Sequence, residues 1–403
     1  MTASMTTAAG ILKEVYEGDV NDQLQNDITF SKRIEQSSED IFETPGGKYV
    51  VFPLRVKRNH GISYRDENTQ LAPARRQGYL QAIESLRHGY GRIRLTGQLM
   101  ELAETNEQSF MSGATAEIDG IKEDLARDVN RIMVGNRAAF NTVGATGIIT
   151  RLTATTTGTS LTVDDSFQLE VDMVIDVVDN SGVPVAGGTG RVITSITSAT
   201  VVVVDSAVAG ATSGNNICRT GNFNKEPYGI LPLVNNSGTV HAINSATAGN
   251  EVWQATVDTS TTTLTEGAMI GMQDNVRRKS GKYCTAIFCS LGVRRAYFNL
   301  LTTLRRYNEP KEWTGGLVGL AFNGGKELPV IDVVDFPLKH MLFLNEKEVK
   351  IYRPRSWYWA DKDGDMFKWV NDYDAWEALM KQYWQVVTHQ RNAHGLFTNI
   401  TEG

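Results

Sequence analysis

The run DKDGD at residues 361–365 has the carboxylate spacing that opens a calcium loop. Such a loop needs Gly at its sixth position and a bidentate Glu at its twelfth. Met366 and Asp372 stand there, and the flanks are strand-like rather than helical. An Asp-Gly turn in a hairpin accounts for the run better. Gly315, Gly316 and Gly319 echo a phosphate loop, but no strand precedes them and no Lys-Ser/Thr pair follows. Cys218, Cys284 and Cys289 are odd in number and form no CxxC pair, which fits neither a disulfide framework nor a zinc site. Cys284 and Cys289 sit in YCTAIFCS, which reads as a buried strand; five residues apart, they are expected on opposite faces as small core hydrophobes. The six histidines are scattered, with no HxxxH pair, and there is no Gly-x-Ser-x-Gly elbow. No constellation joins a nucleophile, a base or a ligand set. The sequence therefore predicts no catalytic residue, no cofactor and no metal: the chain is not read as an enzyme.

Charge is the feature that rises above this background. Lys48 to Met100 carries ten bases and three acids, whereas Ile11 to Pro45 carries nine acids and three bases, and Glu101 to Arg137 eight acids and four bases. One explanation is a solvated surface that segregates sign. The functional one is a basic hairpin that docks on acidic surface of a neighbouring subunit, the charges setting register and encounter rate. The expected donors are Arg55, Arg58, Arg75, Arg76, Arg92 and Arg94. The expected acceptors are Glu35, Glu39, Asp40, Glu101, Glu104 and Glu107. Burial of Val50, Phe52, Leu54, Ile93 and Leu95 at that contact should supply most of the energy, at about 25 cal/mol per Å². Nucleic-acid binding by the hairpin ranks last, because Tyr64, Tyr79 and Tyr90 are not arrayed for stacking.

These charges need elements to carry them. At about 100–200 residues per domain, 403 residues predict two to four units. A net charge of −6 argues against bulk attraction to nucleic acid. No apolar run is long enough to span a bilayer, and MTASMTTAAG lacks a signal pattern, so no membrane is expected. Residues 1–45 read as an acidic arm with too little apolar content to order itself. GKYVVFPLRV and GYGRIRLTGQLM read as the two strands of a hairpin spanning 46–100, with a polar tip between them. An isolated hairpin is marginal in water, so this one should lie against something else. Ile118, Ile121, Leu125, Val129, Ile132 and Met133 repeat at three and four, the clearest helix of the chain, stopped at Gly135-Asn136.

Residues 145–222 change composition to Thr, Val, Gly, Ser and Ala, with short strands and turns, and read as a small all-β module. Beyond it, Thr263 to Glu266 has the form of a capping box before a helix ended by Gly281. The strand YCTAIFCS, a helix with Val293, Tyr297, Leu300, Leu301 and Leu304 on one stripe, and the strands PVIDVV, MLFLN and EVKIYR follow. WYWADKDGDMFKW reads as a hairpin, and Asp374 to Trp384 as a short helix.

The order of these units resembles the tailed-bacteriophage major capsid protein family with the Hong Kong 97-type fold. The second half carries the resemblance most specifically. EPYGILPL is similar to the family's segment after its spine helix. TEGAMIGMQDNVRRKSGKYCTAIFCS, RRAYFNLLTTLRRY, FNGGKELPVIDVVDFP and MLFLNEKEVKIY are similar to its axial domain and the way out of it. The resemblance implies an α+β architecture with an N-terminal arm at 1–45, an E-loop at 46–100 and a spine helix of the peripheral domain at 101–144. The all-β module at 145–222 would be an insertion, followed by an axial domain at 223–342. Return strands and a short helix at 343–403 would complete the peripheral domain.

The same resemblance implies a structural shell subunit in a virion. It would self-assemble in the host cytoplasm into hexamers and pentamers of an icosahedral head around double-stranded DNA, contacted non-specifically. The arm is too short to hold a fused scaffolding segment, so a separate scaffolding protein is implied. A portal is implied too, and the module leaves room for a decoration protein. Two other readings stay open: an encapsulin-like nanocompartment shell, and, from the Thr/Val module alone, a carbohydrate-binding or adhesin-type β protein.

Overall fold

Two periodicities in the chain, one of two residues and one of three to four, build a sheet backed by a long helix. The computed structural model describes residues 27–37, 41–42, 49–98, 107–135, 145–304, 320–323, 327–361 and 366–403. Helix α1 (Thr29–Ser37) buries Phe30 and Ile34. Strand β1 (Ile41–Phe42) follows, then β2 (Tyr49–Lys57), β3 (Gly78–Ser85) and β4 (Arg87–Thr96). Helix α2 (Glu107–Val134) is the long one, and it stops at Gly135, whose φ of 95° an L-residue rarely adopts.

The hairpin is not the one the sequence suggested. Strand β2 pairs with β3, in register from Tyr49 opposite Ser85 to Lys57 opposite Gly78. The second expected strand, β4, pairs instead with the far C-terminal strand over Arg87 to Thr96. Three strands occupy the stretch read as two, because YLQAIES, too polar to stand out, forms β3.

Residues 148–219 form one six-stranded sheet from β5 (Ile148–Arg151), β6 (Ser160–Thr162), β7 (Val174–Val178), β8 (Arg191–Ser198), β9 (Val201–Val204) and β10 (Asn216–Arg219), in the order β5-β10-β7-β8-β9-β6. Its core, including Ile149, Leu161, Val177, Ile193, Val202 and Ile217, is drawn from those residues alone. The short helix α3 (Ile230–Leu233) is wholly buried. A two-stranded ribbon follows, β11 (Thr239–Val240) with β12 (Ile243–Asn244).

A second six-stranded sheet collects β13 (Thr256–Asp258), β14 (Ala286–Cys289), β15 (Leu320–Asn323), β16 (Glu327–Asp332), β17 (Met341–Leu344) and β21 (Gly395–Phe397). Helices α4 (Glu266–Ser280) and α5 (Leu291–Leu304) contribute Met269, Met272, Val276, Val293 and Tyr297 to its core. The cap of α4 is Thr265, whose hydroxyl accepts from the Ala268 amide at 3.1 Å, rather than the expected Thr263. Gly281 ends that helix at φ 75°. Cys284 and Cys289 pack in this one core and not on opposite faces, because Cys284 precedes the strand. Strand β21 also corrects an expectation, since it lies in this sheet and not with the other C-terminal strands.

The last three strands are β18 (Val349–Trp359), β19 (Phe367–Trp369) and β20 (Ala375–Thr388). The predicted helix over Asp374 to Trp384 is therefore a strand. Trp376, Leu379, Met380 and Tyr383 have helical spacing, but β4 lies on one edge of this segment and β18 on the other, and a doubly paired central strand outweighs local periodicity. Nor is WYWADKDGDMFKW a hairpin. Both β18 and β19 run antiparallel to β20, Trp359 opposite Met380 and then Phe367 opposite Ala378, so they form one interrupted line. Of DKDGD, residues 362–365 lie outside the described residues, as do Gly315, Gly316 and Gly319.

Helix α2 packs on the face of this sheet through Ile118 and Ile121, which meet Ile93, Leu95, Trp359 and Phe367. The approach is close at Gly91, where an added Cβ would sit 2.8 Å from Leu125 and 3.2 Å from Ile121. The central core joins α1, the end of α2, α3, the β18–β20 sheet and the sheet of β14, β17 and β21, with Phe30 set edge-on to Phe288 at 4.9 Å.

Candidate assembly surface

The β2–β3 hairpin alternates strictly. Val50, Phe52, Leu54, Leu80 and Ala82 turn toward the body, while Tyr49, Val51, Arg55, Tyr79 and Ile83 turn out. Val50, Phe52 and Ala82 share a core with Ile243, Trp253, Tyr352 and Val387, so the base of the hairpin is seated on its own chain. Beyond Lys57 the described tip has no regular structure, and Ile62, Tyr64 and Leu71 are 80%, 96% and 79% exposed. The charges expected there are on solvent: Arg55, Arg58, Arg75 and Arg76 are all exposed.

The hairpin is fixed at its root by His241. His241 and Ala242 are the two central residues of the β11–β12 turn, at φ 51° and 62°, where Asn-Gly is usual. Non-glycine residues hold such angles when their surroundings over-determine them. The Ile83 amide donates to the His241 carbonyl at 3.2 Å and the Thr388 amide to His241 Nε2 at 3.2 Å. With Nε2 accepting, Nδ1 carries the proton and faces Glu84 Oε2 at 3.1 Å. Burial pushes the imidazole below its usual range, against the upward pull of the Glu84 hydrogen bond and charge. Glu84 in turn accepts from the Gln385 side chain at 3.3 Å. His241 thus ties β3, β20 and the ribbon into one joint.

Several residues expected at an intersubunit contact are used within the chain. Arg92 and Arg94 are on β4, not on the hairpin, and both face Glu377 at 3.7 Å. Ile93 and Leu95 are covered by α2. Val50 and Phe52 are covered as described above, so hydrophobic burial by these four is intramolecular. Glu35 accepts from Arg353 Nη1 at 2.8 Å. Glu39, Asp40, Glu101 and Glu104 lie outside the described residues; Glu107 opens α2, and its side chain lies outside them too.

Sequence reasoning missed Asp335, a fully buried carboxylate. It accepts from Arg127 Nη1 and Nη2 at 2.6 and 2.7 Å, from Asn130 Nδ2 at 2.6 Å and from Gln168 Nε2 at 3.2 Å. One carboxylate thereby joins α2, the β5–β10 module and the turn after β16. Arg131 bonds Asp128 at 2.9 Å and Glu226 at 2.8 Å, and Arg219 of the module reaches Asp128 at 3.0 Å. Apart from the i,i+3 pair Asp128–Arg131, no spacing in the sequence marks these partners, which are some ninety to two hundred positions apart.

Burial pushes the Cys218 and Cys289 thiols up to about 12, far from the thiolate a nucleophile needs. Among the described residues no group of His, Cys, Asp and Glu could hold a metal ion.

The whole chain, from hairpin to closing strand, superposes on solved shell proteins. It covers 99% of its length and 100% of a chain from the capsid asymmetric unit of cyanophage A-1(L), at a TM-score of 0.60 and 12% identity. The chain has the fold of a tailed-phage capsid protein. Against a capsid chain of an empty GTA particle the TM-score is 0.56 at 8% identity, with both chains covered in full. An encapsulin of Synechococcus elongatus PCC 7942 aligns at a TM-score of 0.47 and 9% identity, covering 100% of this chain and 96% of the other. No protein-family model matches the sequence, and neither does any curated protein. With identities this low, the capsid fold is preserved by patterning and packing volume rather than by residue identity. Among the described residues no helix is long and apolar enough to cross a membrane.

Proposed function

We propose that this chain is the major capsid protein of a tailed phage, a structural subunit that assembles into hexamers and pentamers of an icosahedral head enclosing double-stranded DNA. The observation that carries this is the end-to-end match in fold to a phage capsid chain, which spans 99% of this chain and 100% of that one. In this reading β2 and β3 are the E-loop and α2 is the spine helix of the peripheral domain. The sheet with α4 and α5 belongs to the axial domain, and the β5–β10 module is an insertion. A separate scaffolding protein and a portal act during assembly in the host cytoplasm, and the module offers a place for a decoration protein.

The hairpin supports this reading physically. Its base has a core on its own chain, but its tip exposes Ile62, Tyr64 and Leu71 beside Arg58, Arg75 and Arg76, a cost a free monomer gains nothing from. Seated on a neighbour, that tip buries apolar area while its arginines meet acidic surface. Exposed ion pairs contribute only about 0–1 kcal/mol each, so their effect comes from repetition around a closed shell. The test is electron microscopy of the chain expressed with the scaffolding protein of its own genome. Closed shells with five- and six-fold capsomers are expected. A chain that stays monomeric at every concentration and salt would overturn the reading.

A further inference from the structure

The sheet that carries α4 and α5 runs β13-β21-β17-β14-β16-β15, so among the described residues β13 has a neighbouring strand on one side only. Strand β13 lies parallel to β21, with Thr256 opposite Gly395 and Asp258 opposite Phe397. The Thr256 amide donates to the His394 carbonyl at 3.0 Å, and the Thr398 amide donates to the Asp258 carbonyl at 3.2 Å. Backbone groups of successive strand residues point to alternate sides of the strand. The N–H and C=O of Val257 therefore point away from β21, and among the described residues neither has a partner. A donor and an acceptor side by side on an open edge are what an added strand pairs with.

A groove lies along this edge. Val257 packs toward the central core, so Thr256 and Asp258 take the other face, the one under α4. There β13 and α4 bound a cavity of about 380 Å³, inside the range of roughly 300–1,000 Å³ usual for ligand sites. Met272 and Phe397, members of this sheet's core, make part of its lining apolar. Gly271 keeps it open, since a Cβ added there would meet no atom within 4 Å. Asp258 is the one charged residue among the described residues that line it. Burial raises the pKa of that carboxyl, but hydrogen bonds from the hydroxyls and amides of Ser260 and Thr261 outweigh burial and hold it at about 2. The cavity thus carries a fixed negative charge at every physiological pH.

We infer that the groove between β13 and α4 binds an extended peptide carrying a basic residue, and that the peptide adds a strand to β13. One ligand residue pairs through its backbone with Val257. The residues on either side of it point into the cavity, an apolar one against Gly271 and Met272 and a basic one toward Asp258. A cavity alone would take any small apolar ligand. The free backbone donor and acceptor at its rim select a peptide, because a peptide presents the matching pair at strand spacing. The lone carboxylate selects positive charge. This site goes beyond the shell reading and does not depend on it.

The probe is a fluorescent peptide of sequence Lys-Thr-Val-Thr-Lys, acetylated and amidated at its ends, titrated against the full chain by anisotropy. Its symmetry lets it pair in either direction with a Val and a Lys turned into the cavity. Saturable binding with a Kd below about 1 mM is expected, together with slower hydrogen exchange at the Val257 amide. Methylating the peptide's backbone amides, which leaves the protein untouched, should weaken binding about tenfold or more, because the added strand loses its donors. Gly271→Leu fills the cavity and should weaken it by a similar factor, while melting no lower than the parent chain because Leu suits a helix better than Gly. Asp258→Asn should weaken it about threefold, as loss of a partly exposed charge pair does, and a peptide with Glu in place of Lys should bind no better than that. No saturation by about 1 mM would overturn the inference. So would a methylated peptide that binds as well as the parent peptide, or a Gly271→Leu chain that binds as well as the parent chain. A Gly271→Leu chain that alters self-association while the parent chain ignores the peptide would make a second copy the occupant, and would overturn it too.

Discussion

The β2–β3 hairpin and the β5–β10 module are both made of short strands, yet they solve burial in opposite ways. The module's apolar residues face one another across its own sheet, and every member of its core comes from 149–217. The hairpin has two strands and so one inner face, and that face finds its cover elsewhere, on Ile243, Trp253, Tyr352 and Val387. Past the reach of those residues nothing covers it, and the tip stays open. The comparison teaches that two strands cannot enclose a core whereas six can. On the proposed shell reading, the first kind of element would bind a neighbour and the second would sit on the subunit as a body with its own core.

The sharpest way to break this contrast is at the place where the module is not independent. Asp335→Ala leaves Arg127 without its carboxylate and Gln168 without its acceptor. It should cost about 3–5 kcal/mol, as loss of one partner of a buried pair does. Denaturant unfolding measures it. A loss below about 1 kcal/mol would show that the module and α2 are not coupled through this group.

Leu161→Ala removes a fully buried side chain from the module core and should cost about 2–5 kcal/mol. Hydrogen exchange should place the loss within 148–219 and leave α2 unchanged. The excised segment 145–222 should unfold cooperatively by itself. An excised segment with no melting transition would remove the distinction between module and hairpin.

At the root of the hairpin the expected effect is pH-linked. His241 and His394 are buried and neutral, with burial pushing His394 down to about 3 and His241 down as well. In the unfolded chain both take up protons near their ordinary value of about 6.5. The unfolded state therefore binds more protons below that pH, and stability falls as pH falls from about 6.5 toward the depressed folded values. Melting midpoints from pH 7.5 down to pH 4.5 should drop, and His241→Gln should flatten part of the slope. A midpoint unchanged across that range would count against both buried neutral assignments.

The smallest effect on the subunit, and a large one on assembly, is expected at the tip. Arg75→Glu with Arg76→Glu should move subunit stability by less than about 0.5 kcal/mol, as exposed changes do, while slowing shell formation and altering its salt dependence. Stopped-flow scattering at two ionic strengths reads the rate. Parent-like rates at both would make these arginines a solvated face and nothing more.

Elements whose evidence is local could be read from the sequence. The stripe Ile118 to Met133 specified α2, because one face of a helix repeats its apolar residues whatever lies beyond. Gly135 and Gly281 marked helix ends, because positive φ suits glycine. The composition of 145–222 marked a run of short strands, and the buried cluster those strands form is drawn from 149–217. The basic hairpin tip was legible as charge.

Partner choice was not legible. Whether β4 pairs with β2 or with a strand almost three hundred residues later is decided by which edge is free once the sheet forms. The same pairing made a strand of Ala375 to Trp384 against its helical spacing, and it moved Arg92 and Arg94 from the hairpin to the sheet face. Asp335, His241 and Glu377 look like ordinary polar residues until packing brings their partners to within 4 Å. A sequence states which residues seek cover and which carry charge. Only the tertiary structure decides who covers whom, because burial and hydrogen bonding depend on distance in space and not along the chain.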